Sequence, residues 1–348
     1  MVRRRAVPPR AEVQALRAPP AVRRLHPRRR RGVAAGLRLP AGRPEGAAAR
    51  RHKACPVRRS HEPSALPASA RSRPRTVATR RPGRARTEAA LMLSYQHIFH
   101  AGNLADVHKH ALLCAMLDYM VKKDKPLTYI ETHAGRGLYD LSSAEAVKTG
   151  EAAQGIAVLE RRLPEDHPYR RRLREERALF GPAAYPGSPL LAAGFLRDGD
   201  VMHLAELHPQ EYRALARVME PWGAHLRQED GFRAALALTP PVPRRGLMLI
   251  DPSFEVKADY AAIPRHMAAI ARKWNVGTLA LWYPILPAGL HRPMVEALRA
   301  QFPEALAHEV RFPPARDGHG LVGSGMFVVN PPWGTDDEAA RLTALFAG

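Results

Sequence analysis

Apolar positions along this chain are silent at first and then periodic. Residues 1–91 contain no Phe, Tyr or Trp, whereas from Met92 onward helical and strand patterns alternate. In "NLADVHKHALLCAMLDYMVKK", Leu104, Val107, Ala111, Cys114 and Val121 recur at helical spacing behind Asn103, a residue suited to cap a helix N-terminus. His110 shares a helical face with Leu113 and Leu117, so it is expected to point inward. The Lys125-Pro126 break ends that helix, and "LTYIETHAGRG" reads as a short buried strand running into a glycine turn. "DVMHLAELHP", "GLMLIDPSFE" and "GTLALWYPI" are further apolar runs that end in polar or proline turns, with helical stretches such as "PQEYRALARVME" between them. The alternation predicts an α/β fold with a mostly parallel sheet and helices on both faces. Ligands of such sheets bind at the carboxyl ends of the strands, so the residues just after each run are where chemistry is expected.

Charge changes the picture of the first 91 residues. They hold 25 of the 54 Lys and Arg but four of the 33 Asp and Glu, so the leader carries the whole formal +21; residues 92–348 hold 29 of each sign and are neutral. A leader rich in Arg, Pro and Ala and poor in large apolar groups cannot bury enough surface to offset its ordering entropy, and is expected to be disordered. Three accounts stay open for it: translation upstream of a true start at Met92, a flexible basic arm for nucleic acid, and an organelle transit peptide, whose amphipathic helix the prolines oppose. Cys55 and Cys114 make neither a disulfide framework nor a metal cluster, no run is apolar enough for a membrane span, and a reducing cytoplasmic home follows as the expectation. Residues 92–348 then form one domain, 257 residues long.

The strand ends supply the candidate chemistry. Gly135 and Gly137 in "ETHAGRG" let backbone N–H groups approach a ligand closely. Glu206, ending the next core strand, suits the two hydroxyls of a ribose; Asp230 with Gly231 suits the amino edge of an adenine. Together they fit a nucleoside-containing cofactor. No third glycine completes the dinucleotide spacing, which favours S-adenosylmethionine over NAD. The plain alternative is that each acid caps the following helix.

The turn Asp251-Pro252-Ser253-Phe254 carries the expected reaction. Adenine N6 is a poor nucleophile because its lone pair is delocalised into the ring. The Asp251 carboxylate and the Pro252 carbonyl can accept from its N–H groups, while Phe254 stacks on the base and aligns it. The pattern for such turns is Asp/Asn-Pro-Pro-aromatic, and Ser253 departs from it, which loosens the turn. Asn330-Pro331-Pro332-Trp333 matches the pattern more literally, but it follows a final strand expected to run antiparallel, so Asn330 is read as structural. The 75 positions from Glu131 to Glu206 exceed what one crossover needs, and predict a helical insertion over about residues 141–185. Its seven Arg between positions 161 and 177 suit an RNA-binding surface or, equally, a solvated helix with internal Arg–Glu pairs. His97, His100, His108 and His110 lack the acid or cysteine that would complete a metal shell, so no metal is expected.

From Met92 to Trp333 the chain closely resembles the ribosomal RNA large subunit methyltransferase J family. The resemblance rests on "MLSYQHIFHAGNLADVHKH", "ETHAGRGLYDL", "YPGSPLL", "ELHP", "DGF", "LIDPSFEVKADY", "ALWYP" and "SGMFVVNPPW". It implies a Rossmann-like S-adenosylmethionine-dependent methyltransferase whose mostly parallel sheet has its last strand antiparallel, with a helical insertion subdomain. It implies methyl transfer to N6 of an adenine in 23S rRNA, naked or in assembly intermediates, by a monomer. Cofactor contacts carry over to His110, His133, Ser188, Glu206, Asp230, Gly231 and Asp251, the last also the catalytic residue. Tyr95 matches a residue placed near the RNA, and Tyr95, His97 and Lys109 are expected to close over the pocket as a lid, although Tyr95 can equally serve as a plain anchor. A DNA adenine-N6 methyltransferase and a catalytically silent RNA-binding relative remain as rival functions.

Overall fold

A computed structural model describes residues 96–315 and 320–347. The expectations for the 1–91 leader, for Met92 and for Tyr95 fall outside the described residues.

Seven strands form the central sheet: β1 (Thr128–Glu131), β4 (Val201–Ala205), β5 (His225–Arg227), β6 (Gly246–Ile250), β7 (Thr278–Ile285), β8 (Leu306–Arg311) and β9 (Gly323–Val329). Their order is β5-β4-β1-β6-β7-β9-β8. The first five run parallel, and β9 runs antiparallel to both its neighbours. That is the mostly parallel sheet with a reversed last strand expected from the sequence. The five central strand residues of Gly246–Ile250 are all buried, as a strand covered on both faces must be.

Register decides where the chemistry lands. Glu131 pairs with Leu204 on one side and Leu249 on the other, while Ile250 pairs with Leu281. The same register carried one or two residues past β1, β4 and β6 sets Glu206, His133 and Asp251 in one row with Trp282, which lies inside β7.

Over that edge lies helix α1 (Leu104–Met120), capped by Asn103, whose side chain accepts from the Asp106 N–H at 2.9 Å. Thirteen of its 17 residues are buried, so it is a core helix and not the one-sided amphipathic helix its apolar spacing suggested. Asp106, His108, Lys109 and His110 are buried with the rest, and each has a polar partner inside the protein.

The insertion is closed at its base by a second, antiparallel sheet of β2 (Leu138–Asp140) and β3 (Ala184–Pro186). Between these strands run short helices and α2 (Pro168–Phe180). Leu159, Leu163, Tyr169, Leu173 and Phe180 share one apolar cluster with Leu113 and Leu117 of α1, so the insertion is welded to the sheet domain. Most of its arginines face acids of the same chain. Arg171 meets Asp118 at 2.5 Å, Arg177 meets Glu160 at 2.7 Å, and buried Arg172 is held by Glu175 and Glu176. Arg170 donates to the Leu163 carbonyl at 2.9 Å. Arg161, Arg162 and Arg174 are the exposed members of the run.

Candidate active site

A cavity of about 370 Å³ opens at the carboxyl edge between the sheet, α1 and the first loop. Its volume lies within the ~300–1,000 Å³ of small-molecule sites. Of the residues expected to bind the cofactor or substrate, His97, Lys109, His110, His133, Ser188, Glu206, Asp230, Gly231, Asp251, Pro252 and Phe254 all line it.

One half of the cavity is a line of buried charge. The Lys109 ammonium donates to Asp251 Oδ2 at 2.7 Å and lies 3.1 Å from Asp106 Oδ1. Asp106 Oδ2 accepts from the Gly102 N–H at 2.9 Å and sits 2.9 Å from His97 Nε2. Burial alone would lower the Lys109 pKa, but the Asp251 and Asp106 charges outweigh it and leave the group firmly protonated. Burial likewise acts to raise Asp106, and His97, Lys109 and His110 together pull it well below the usual carboxylate range. Trp282 closes this half, its ring 5.5 Å from the ammonium.

This geometry corrects the lid expected from Lys109. A lid residue needs a side chain free to swing through solvent, and Lys109 is 4 % exposed and clamped between two carboxylates. His97 is tied to Asp106 and stands edge-on to Tyr139 at 5.3 Å.

The turn after β6 is strained where it enters the cavity. Phe254 has φ +56, a left-handed conformation that costs a non-glycine residue ~1–3 kcal/mol. Packing holds it there, with its ring 4.6 Å from Tyr260 and 6.1 Å from Trp282. The Phe254 ring is therefore largely buried and offers the cavity only part of its surface.

The other half suits an adenosyl group. Each Glu206 oxygen accepts one backbone N–H, from Gly135 at 2.8 Å and from His208 at 2.7 Å, and each keeps a lone pair for a ribose hydroxyl. Burial pushes the Glu206 pKa up. Asp230 does cap the next helix, accepting from the Arg233 N–H at 2.8 Å through Oδ1, which leaves Oδ2 for an amine. A side chain at Gly231 would fall 2.0 Å from the Thr132 carbonyl, and one at Gly135, at φ +61, would fall 2.6 Å from the Tyr139 hydroxyl. Both glycines are required by close approach. The His133 ring packs edge-on to Phe232 at 5.4 Å, and burial lowers its pKa to about 4. His110 is buried behind, 3.0 Å from the Tyr185 hydroxyl, its pKa lowered to about 3 by burial. Ser188 donates to Glu131, a buried carboxyl that burial raises to about 8. Among the described residues no group of three or more His, Cys, Asp or Glu is placed to hold a metal ion.

Two site residues carry no role in the sequence reading. Asp106 had a signal, lying three residues before Lys109 and four before His110, the spacing of one helical face. Trp282 had one too: it is the aromatic within the run after the Asp251 strand, in "ALWYP".

Parallel strands with one reversed, an acid-tipped second strand, a glycine turn and a proline turn beside a nucleoside-sized cavity define a Rossmann-like methyltransferase of the S-adenosylmethionine-dependent class. Residues 124–347 match the family model described as Ribosomal RNA large subunit methyltransferase D, RlmJ. The chain is 39% identical over 252 residues to Ribosomal RNA large subunit methyltransferase J of Escherichia coli (strain K12), covering 71% of this chain and 90% of that one. It is 39% identical over 257 residues to the protein of the same name from Haemophilus influenzae (strain ATCC 51907 / DSM 11121 / KW20 / Rd), covering 72% and 92%. The crystal structure of protein LPL1258 from Legionella pneumophila str. Philadelphia 1 superposes with a TM-score of 0.64 at 34% identity, covering 71% of this chain and 94% of that one. The chain belongs to the RlmJ family of ribosomal RNA large subunit methyltransferases.

Proposed function

We propose that the protein transfers a methyl group from S-adenosylmethionine to the exocyclic N6 of an adenine in 23S rRNA, acting as a monomer in the cytoplasm on RNA whose target base can be flipped out. The observation that carries this reading is the Asp251 turn at the cavity wall, with its carboxylate fixed from behind by Lys109 at 2.7 Å. When bound, S-adenosylmethionine supplies an electrophilic methyl group. Every other requirement falls to the chain. Asp251 Oδ1 and the Pro252 carbonyl accept from the two N6–H groups and draw the nitrogen towards a tetrahedral, nucleophilic form; as the N–C bond forms and the methyl–sulfur bond breaks, the proton that N6 sheds passes to the Asp251 carboxylate. The Lys109 ammonium donates to Asp251 Oδ2 and so leaves Oδ1 turned to the substrate as an acceptor. Glu206 and Asp230 hold the adenosyl half, Gly135 and Gly231 let the loops behind it pack closely, and the wall of Trp282, Phe254 and α1 limits water at the reacting atoms. Family membership and relatives named for ribosomal RNA favour this substrate over duplex DNA. Among the described residues no helix is long and apolar enough to cross a membrane.

The test is transfer of labelled methyl to protein-free 23S rRNA fragments and to duplex DNA, with mass spectrometry of the digested product. N6-methyladenine in the RNA alone is expected. Label in duplex DNA alone would establish the DNA enzyme, and cofactor binding with no transfer to either would establish the silent relative.

A further inference from the structure

Asp106 is engaged by more donors than any other carboxylate at the site, yet it reaches the substrate turn only through Lys109 and the adenosyl half only through His110, 4.0 Å away. It is 2 % exposed and takes three donors from two directions. The Gly102 N–H and His97 belong to the loop that enters α1; the Lys109 ammonium belongs to α1 itself and reaches across to Asp251. One carboxylate thus joins the loop at the cavity mouth to the ammonium behind the proposed acceptor. We infer that Asp106 is a positioning residue for methyl transfer: it supplies the second, fixed counter-charge that lets Lys109 orient Asp251 without consuming its capacity to accept from the substrate amine. The inference rests on the role proposed for Asp251.

Charge accounting supports it. With Asp106 ionised, the ammonium divides its N–H groups between two carboxylates, and Asp251 Oδ1 stays available to the substrate. Without that charge the ammonium leans on Asp251 alone, drawing electron density from the acceptor. The groups around Lys109 are Asp106 and His110 on its own helix, Asp251 at the end of β6, Glu131 at the end of β1, His97 on the entering loop and the Trp282 ring on β7. Burial lowers the ammonium's pKa and two carboxylates raise it; removing one shifts it down, so Lys109 loses its proton at a lower pH.

The experiment measures single-turnover methyl transfer across an alkaline pH series, S-adenosylmethionine affinity by calorimetry and thermal melts, for the full chain and for Asp106→Asn. The amide oxygen can still accept from Gly102, so the fold is expected to persist. Cofactor affinity should stay within about twofold, the rate should fall about tenfold or more, and an alkaline fall in rate should appear within the series where the full chain, its ammonium firmly protonated, holds its rate. A wild-type rate and pH profile overturn the inference. So does a loss of rate that tracks cofactor affinity and melting with no alkaline fall, which is what a merely structural role gives. If Asp106→Asn does not fold, Asp106→Glu keeps the charge but displaces it, and must lower the rate with no alkaline fall; an unchanged rate overturns the inference. Asp251→Asn, run alongside, separates the two readings. If it is active, the proposed role of Asp251 fails; if it is inactive while Asp106→Asn is normal, only the role of Asp106 fails.

Discussion

Asp251→Asn is nearly isosteric, yet Lys109 makes it a severe change. The ammonium can only donate, and it lies 2.7 Å from Asp251 Oδ2. The new amide must turn its oxygen to Lys109, which aims its NH₂ at the place where the carboxylate offered Oδ1. A donor then faces the N–H groups of adenine N6. Losing a preorganised partner at a reacting atom typically costs ~10²–10³ in rate, and turnover should fall by at least that much. Stability should suffer less than the ~3–5 kcal/mol of a buried charge left alone, because Asp106 stays 3.1 Å from the ammonium. One weakened charged hydrogen bond, ~1.5–3 kcal/mol, is expected. At roughly 2–4 °C per kcal/mol for a domain of this size, Tm should drop by roughly 3–12 °C. The control is Asn330→Ala in the more literal proline turn. Asn330 lies beyond the far end of β9, where its side chain donates to the Gly277 and Asn275 carbonyls at 2.9 and 3.1 Å, with φ +51. It should melt earlier by a comparable margin, about 1–3 kcal/mol for two hydrogen bonds, and turn over normally. Single-turnover transfer of labelled methyl to an rRNA fragment, with melts of both variants, decides the matter: an inactive Asn330→Ala beside an active Asp251→Asn would refute the site assignment.

Stability should peak near pH 6.5. His110 and His133 fall from an ordinary 6.5 to about 3 and about 4, so their contribution is full above pH 6.5 and is lost as pH falls towards those values, whereas Glu131, raised from 4.5 to about 8, contributes below pH 4.5 and loses it as pH rises to 8. Each uncompensated group is worth about 1.4 kcal/mol per pH unit, so melts should show a decline on both sides, and a steady rise from pH 5 to 8 would contradict the assignment. Replacing exposed Arg161, Arg162 and Arg174 by Glu should weaken rRNA binding several-fold and flatten its salt dependence if the insertion touches RNA, with cofactor affinity unchanged; filter binding at a series of salt concentrations reads it. The same change at Arg172 should instead unfold the chain, since that guanidinium is buried against Glu176 and lies 6.0 Å from Phe195.

What the sequence made legible follows from periodicity. Strand ends are marked by where apolar runs stop, and because parallel strands bring those ends to one edge, Glu206, Asp230 and Asp251 could be read as neighbours across long separations. Partners of a buried charge leave no such mark. Lys109 reads as a lid residue at the pocket and not as a buried one, since the Asp251 that buries it lies 142 positions away. The arginine run was open for the same reason: seven Arg fit a polyanion or internal pairs equally well, and Asp118 and Glu160, from separate elements, are what answer two of them. Trp282 was visible as an aromatic within an apolar run, and its role was not, because the groups that fix it come from the reversed strand and the last helix, Thr335–Ala347.

Those groups can be ordered proton by proton. Trp282 Nε1–H donates to Ser324 Oγ at 2.9 Å, and the Ser324 hydroxyl lies 2.8 Å from His108 Nδ1. His108 Nε2 meets His308 Nδ1 at 2.9 Å, and His308 Nε2 meets Thr343 Oγ1 at 2.9 Å, which donates on to the Ala339 carbonyl at 3.1 Å. Thr343 spends its proton on Ala339, so His308 must donate from Nε2 and accept at Nδ1. His108 must then donate from Nε2 and accept at Nδ1, and Ser324 donates to it. Every atom of this hydrogen-bonded chain is satisfied in one direction only, with both imidazoles neutral, in line with burial, which lowers the pKa of each ring, and with the repulsion His108 feels from His308. An added proton has no acceptor to face. The chain therefore locks the Trp282 ring in the wall beside Lys109 and ties that wall to β8, β9 and the C-terminal helix, which gives the reversed strand a part in shaping the site that its own carboxyl end, far from the cavity, could never play.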